Sequence, residues 1–129
     1  MTEYSHKRYA YLLDFVGNEM AKLSRLKGGE YAGDDDRLAN FRRNAAALGL
    51  PMESVWGVYC AKHWDAIMQY IKDENNGVKR ERLEGLEGRA MDIIVYMTLF
   101  IAMLDEKHNL TQIDEIEIAE EQITEALRS

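Results

Sequence analysis

Pro51 is the only proline in a chain of 129 residues, so almost no position forbids a continuous helix. A proline inside a helix costs about 3 kcal/mol, because it removes a backbone hydrogen bond and clashes with the preceding turn. Alternating β-branched runs, which would indicate strands, are nearly absent. Apolar residues instead recur three and four positions apart, as in Tyr9, Leu12, Leu13 and Val16. This spacing predicts an all-α fold.

Local start and stop signals divide the chain into four or five helices. We expect the first helix, capped by Thr2 or Ser5, to end near Leu26, because Gly28 and Gly29 follow it. The segment from Gly28 to Asp36 is rich in glycine and aspartate and predicts a loop. The other helices are expected at about 37–48, 51–74, 83–107 (or from 86) and 111–127.

Four signals set the ends of these later helices. Gly49 should end the second helix, Pro51 should occupy the first position of the third, and Asn109 should end the fourth in a left-handed conformation. Thr111 with Asp114 is typical of a capping box that starts the last helix. The sequence therefore predicts one domain over residues 1–129. Its core bundle would span about 5–107 and its C-terminal helix about 111–128.

Charge and composition exclude several functional classes. The chain has 16 basic and 23 acidic residues, a net charge of −7, which argues against general nucleic-acid binding but permits a small anion in a local pocket. One cysteine, Cys60, excludes an intrachain disulfide and a multi-cysteine zinc site, and we expect it to be a buried thiol. The longest apolar run, Ile93 to Leu104, is shorter than the roughly 20 residues of a membrane span. We expect a soluble, cytoplasmic protein.

The glycine-flanked segment after the first helix carries Lys27, Glu30 and Tyr31. Glycines let the backbone approach a ligand closely, and these three side chains could contact a phosphate, a metal and a base, respectively. The alternative is a simple turn between helices, with one of the three aspartates at 34–36 capping the next helix.

The long third helix presents Lys62, His63, Trp64 and Asp65 in succession. His63 shares a face with Trp56 and other apolar residues, which is typical of a core histidine but also of a ligand or catalytic group. Lys62 and Asp65 lie on another side of the helix. They could belong to a solvated face or could point into a cleft.

The fourth helix places Asp92 directly before a long apolar run. A carboxylate in that position has to be paired, hydrogen-bonded or metal-bound. Arg89 is one possible partner; the alternative is a divalent cation such as Mg²⁺, held by carboxylates from several helices. Helical geometry brings Glu84 closer to the direction of Asp92 than Glu87.

Three stretches resemble small proteins of bacteriophages and prophages, and the likeness covers about residues 24–104. They are Lys27-Gly-Gly-Glu-Tyr-Ala-Gly-Asp through Asn40-Phe41, Ala61-Lys-His-Trp-Asp-Ala-Ile, and Glu87-Gly-Arg-Ala-Met-Asp-Ile-Ile-Val-Tyr96. The Asp92-x-x-x-Tyr96 helix is more distantly similar to MazG-type all-α nucleoside triphosphate pyrophosphohydrolases. That superfamily holds Mg²⁺ with Glu-x-x-Glu on one helix and Glu-x-x-Asp on the next. Here Arg89-x-x-Asp92 stands in the second position, and Asp65 stands without a Glu-x-x-Glu pair on the long helix.

The resemblance implies a MazG-like bundle that handles nucleotides, and the leading expectation is a Mg²⁺-dependent pyrophosphohydrolase. Carboxylates would hold the metal, which would polarise a phosphoryl oxygen and activate water. We expect the metal or base roles at Glu30, Asp65, Glu87 and Asp92, phosphate contacts at Lys27, Lys62 and Arg89, and further substrate contacts at Tyr31, His63 and Trp64.

Two alternatives remain open at this stage. The first is a non-catalytic oligomer that binds a nucleotide or a nucleotide signal, which the missing Glu-x-x-Glu pair favours. The second is a bundle that serves protein interaction only, which the acidic last helix favours. In each case the apolar helix from Asp92 to Leu104 predicts a homo-oligomer, most simply a dimer, because one small bundle does not easily cover it.

Overall fold

The computed structural model describes residues 3–31, 35–113 and 115–128, without the side chains of Tyr31, Glu115 and Ile116. None of these residues is in a β-strand, which confirms the all-α prediction. No helix in these ranges is long and apolar enough to cross a membrane. The five helices are α1 (His6–Tyr31), α2 (Ala39–Leu48), α3 (Met52–Asn75), α4 (Leu86–His108) and α5 (Glu115–Arg128).

Helices α3 and α4 form the central pair of the bundle, with α2 packed on α3 and α1 packed on α4. Trp56 of α3 fixes this pair: its indole Nε1 donates to the Tyr96 carbonyl at 2.6 Å, and its ring lies 4.9 Å from the Phe100 ring. Phe41 and Met103 are the largest fully buried side chains. The rest of the buried core consists of Leu38, Ala45, Val55, Val95 and Leu99.

The helix ends follow local chemistry where the sequence supplied strong signals. Gly49 (φ 65°) ends α2 and Asn109 (φ 50°) ends α4, both in the left-handed conformation. Pro51 is extended and occupies the N-cap of α3. The helix therefore begins at Met52, one residue later than predicted. Asp36 accepts a hydrogen bond from the Leu38 N–H at 3.0 Å, which supports the turn before α2.

The predicted end of α1 is wrong, because the helix continues through Gly28 and Gly29 to Tyr31. Glycine costs only about 1 kcal/mol in a helix, and tertiary contacts readily exceed that cost. Here Leu23 packs against the core and Lys27 pairs with a residue of α4, so the last turns of α1 are held in place. The first part of the predicted loop, Gly28 to Tyr31, is therefore helical, and its residues 32–34 lie outside the described ranges.

The predicted start of α5 is also wrong. Thr111 does not cap this helix: its N–H and hydroxyl donate to the Asp105 carboxylate at 2.8 and 3.1 Å, and α5 begins at Glu115. Asp114, the other half of the predicted capping box, lies outside the described residues. Helix α5 makes no extensive contact with the other helices in the described part of the chain.

Candidate functional site

Asp92 is buried near the start of α4 and joins three helices. Lys27 of α1 reaches its Oδ1 at 2.5 Å, and His63 of α3 places Nδ1 3.5 Å from its Oδ2. A buried carboxylate is tolerated only when it is paired and hydrogen-bonded, and the Lys27 ammonium meets that need. The sequence pointed to Arg89 or a metal for this role, whereas Lys27 comes from 65 positions away along the chain.

His63 lies next to this ion pair and is almost fully buried. Arg89 Nη1 lies 3.1 Å from His63 Nδ1, and because a guanidinium only donates, the imidazole accepts here and carries its proton on Nε2. Burial lowers the pKa of His63; the charge of Asp92 opposes this shift, and those of Lys62, Arg89 and Lys27 reinforce it. His63 is therefore neutral at pH 7, with its ring 5.5 Å from that of Tyr96.

A cavity of about 760 Å³ opens beside this cluster between α1, α2, α3 and α4. Four cationic side chains line it: Lys27 of α1, Arg37 just before α2, Arg43 of α2 and Lys62 of α3. Only two acidic groups, Glu84 and Asp92, line it. Asp92 is neutralised by Lys27 and Glu84 faces Arg89 at 3.4 Å, so the cavity is locally positive in a chain of net charge −7.

Arg37, Arg43 and Lys62 form no ion pair with any residue that the structure describes, and we call them the free cations of the cavity. Arg37 is the most constrained of the three, because burial lowers the pKa of its guanidinium and its Nε has no hydrogen-bond partner in the described ranges. The Oδ1 atom of Asn40, one turn further along the chain, is buried and unpartnered in the same way. Buried polar atoms without partners are rare and call for an explanation, such as a bound ligand.

Gly28 has a role that its sequence context did not reveal. A Cβ at this position would lie 2.8 Å from Arg37 Nε and 2.9 Å from Arg37 Cδ. Real Cβ atoms do not approach other atoms so closely, so only glycine lets the Arg37 side chain lie against α1. Gly28 therefore provides room beside the cavity instead of ending the helix.

The cavity brings together only part of the residue set predicted from the sequence. Lys27, Lys62, His63 and Asp92 line it. Arg89 contacts it through His63 and Glu84. The side chain of Tyr31 is outside the described residues. Exposed positions that do not line the cavity are occupied by Glu30, Trp64, Asp65 and Glu87.

Two acidic residues stand at the start of α4. Glu84, just before the helix, lines the cavity, whereas Glu87, in the first turn, does not. The polar face of α2 was missed in the sequence, although a signal existed. Asn40 and Asn44 are four apart and flank Phe41, so polar residues share the side of the helix that faces the core, whereas Arg37 lies just before α2.

His63, Glu84 and Asp92 offer ligand atoms within 4.8 Å of one another, the only such group of three in the ranges described. The four carboxylates predicted as metal ligands do not form such a group. Lys27 already pairs with Asp92, and Arg89 with both Glu84 and His63. An imidazole and two carboxylates that are all engaged by protein cations fit Mg²⁺ poorly, since Mg²⁺ prefers oxygen ligands in octahedral geometry.

Comparison with protein-family models, with curated proteins and with solved structures finds no match for this chain. The geometry by itself defines the class: an all-α bundle with a cation-lined cavity between its four core helices.

The lowered pKa of His63 predicts a pH-dependent stability. Between about pH 6.5, the ordinary value, and the lower pKa of the folded protein, the unfolded chain binds more protons, so the free energy of unfolding falls as the pH falls. His63→Gln should flatten this decline in urea unfolding measured from about pH 7.5 to 5. His108→Gln, an exposed control, should retain the wild-type decline. Equal slopes in wild type and His63→Gln would show that His63 does not titrate differently on folding.

The close approach of Gly28 to Arg37 predicts opposite effects of two neighbouring substitutions. Gly29→Ala has open space around its Cβ and should raise the free energy of unfolding by up to about 1 kcal/mol, because alanine is the better helix former. Gly28→Ala should be less stable than Gly29→Ala, because its Cβ displaces Arg37. Adding Arg37→Ala to Gly28→Ala should remove that difference, and urea unfolding of the variants measures the coupling. Equal effects at both glycines would contradict the contact.

Proposed function

We propose that this protein binds a small phosphate-bearing molecule of the nucleotide class in the cavity, and holds it without cleaving it. The observation that carries this proposal is the set of free cations, Arg37, Arg43 and Lys62, which surround a cavity in an otherwise acidic chain. Guanidinium groups bind phosphate oxygens with two parallel hydrogen bonds, and an ammonium adds a point charge.

The remainder of the wall suits the organic part of such a ligand. Tyr59 and Tyr96 present half-buried rings, and Val95 and Leu99 add apolar surface. Binding sites for small molecules commonly measure about 300–1,000 Å³ and combine mostly apolar walls with a few polar groups, and this cavity matches that description.

Hydrolysis of a nucleoside triphosphate with Mg²⁺ is the second candidate. The grouping of His63, Glu84 and Asp92 and the likeness to MazG-type enzymes favour it. Binding without cleavage is the better supported of the two, because protein cations already engage all three of these groups. A cytoplasmic location, where nucleotides are found, belongs to the same proposal. A phage origin is supported by the sequence resemblance.

The decisive experiment compares ligands and metal in one thermal-shift panel. Nucleoside mono-, di- and triphosphates and cyclic nucleotides should include one that raises the melting temperature equally in Mg²⁺ and in EDTA, while the matching nucleoside has no effect. A ligand at 100 times its Kd stabilises the folded state by about 2.7 kcal/mol, which such a panel detects readily. Release of pyrophosphate or phosphate in Mg²⁺ would favour the hydrolase instead. No response to any phosphorylated compound would contradict both candidates.

Lys62→Ala should separate ligand binding from stability. Lys62 is exposed at the cavity and has no ion-pair partner among the described residues, so its loss should change the free energy of unfolding by no more than about 0.5 kcal/mol. Loss of a charged hydrogen bond to phosphate should raise the Kd by about 10- to 150-fold. Lys72→Ala, an exposed lysine on the same helix away from the cavity, is the matched control and should keep the wild-type Kd. Titration calorimetry with the ligand from the panel measures both; equal affinities would remove Lys62 from the site.

A further inference from the structure

The N-terminal half of α1 is not covered by the rest of the chain. Every residue from His6 to Phe15 is exposed, and we call these residues the exposed half of α1. At 1.5 Å per residue this segment is about 15 Å long. Leu12 is 40% exposed and Leu13 is 55% exposed, although both are large apolar side chains. Single exposed apolar residues are common, but Tyr9, Leu12 and Leu13 are exposed neighbours on one side of the helix, and such a group indicates an interaction surface.

This surface continues a face of α1 that is buried further along the same helix. Tyr9, Leu12 and Leu13 fall on the side that Met20 and Leu23 present to the core, given 3.6 residues per turn. One apolar stripe therefore runs along α1, and α4 covers only its C-terminal part. The pattern predicts that something else covers the N-terminal part.

The accessible surface of the whole chain exceeds that of a compact monomer, and both the exposed half of α1 and the sparsely packed α5 contribute to the excess. The chain exposes 10312 Å². A compact monomer of 14.9 kDa should expose about 7,000 Å², so the excess is on the order of 3,300 Å². Obligate homodimers bury about 2,000–5,000 Å² in total, counted over both partners. Only the part of this excess that the exposed half of α1 contributes is available for the interface proposed below, because α5 accounts for another part.

We propose that the exposed half of α1 is the interface of a homodimer, in which two copies of α1 pack antiparallel. The charged residues that flank the stripe favour a second copy of the chain as the partner and an antiparallel direction for its α1. Arg8 and Glu19 lie along the same edge of the apolar stripe and both are exposed. A two-fold axis near residues 13–14 places Arg8 of one copy beside Glu19 of the other, so the two contacts close symmetrically. This interface lies at the opposite end of α1 from Lys27 and does not depend on what the cavity binds.

The first test is the mass of the protein in solution by light scattering at micromolar concentration. The wild type should have twice the 14.9 kDa of one chain. Leu12→Glu combined with Leu13→Glu should weaken the dimer by at least about 100-fold, because two apolar contacts are lost and two charges are desolvated. Tyr11→Glu is the control: Tyr11 is 68% exposed but lies on the other side of the helix, so this variant should remain dimeric.

The charge pair provides a second test that does not remove apolar contacts. Arg8→Glu should raise the dimer Kd, and Arg8→Glu combined with Glu19→Arg should restore it, while circular dichroism confirms that each variant keeps its helices. A monomeric wild type, or a dimer that persists with Leu12→Glu and Leu13→Glu, would overturn the proposal. A monomer that sediments with anionic lipid vesicles would assign the face to a membrane surface and would also overturn it.

Discussion

The pairing of Lys27 with Asp92 is the interaction on which the arrangement of the site depends. A buried carboxylate without a partner costs several kcal/mol, so the bundle needs a cation at this point. Lys27 provides it from α1, and His63 approaches the same carboxylate from α3. The ion pair thereby ties α1 to α4, and the neutral His63 ties α3 to α4 by accepting a hydrogen bond from Arg89. The cavity is the space that these three helices and α2 leave beside Asp92.

The same pairing explains why the cavity favours an anion. Asp92 and Glu84 are the acidic groups in its wall, and Lys27 and Arg89 already engage them. The cations that remain, Arg37, Arg43 and Lys62, have no such partners in the described part of the chain. A chain of net charge −7 thus contains a small positive region, and the proposed anion site is confined to this region.

The two ends of helix α1 carry different features of the molecule. Its C-terminal turns carry Lys27 and the close contact of Gly28 with Arg37, both at the cavity. Its N-terminal turns carry the apolar stripe that the chain leaves uncovered. About 27 Å of helix separates Tyr9 from Lys27, so the proposed dimer interface and the proposed ligand site lie on different parts of one helix.

The sequence by itself determined the all-α class, most of the helix ends and the need for Asp92 to be paired, and it left the number of helices at four or five. These features depend on local periodicity, on residues such as Gly49 and Asn109, and on the cost of burying a charge. It did not determine which partner Asp92 takes, since Lys27 lies 65 positions away. Tertiary structure alone decided that α1 continues through Gly28 and that Arg37, which precedes α2, lines the cavity. Packing between helices that are distant in the chain outweighs the tendency of a glycine pair to end a helix. A local sequence pattern does not predict such packing.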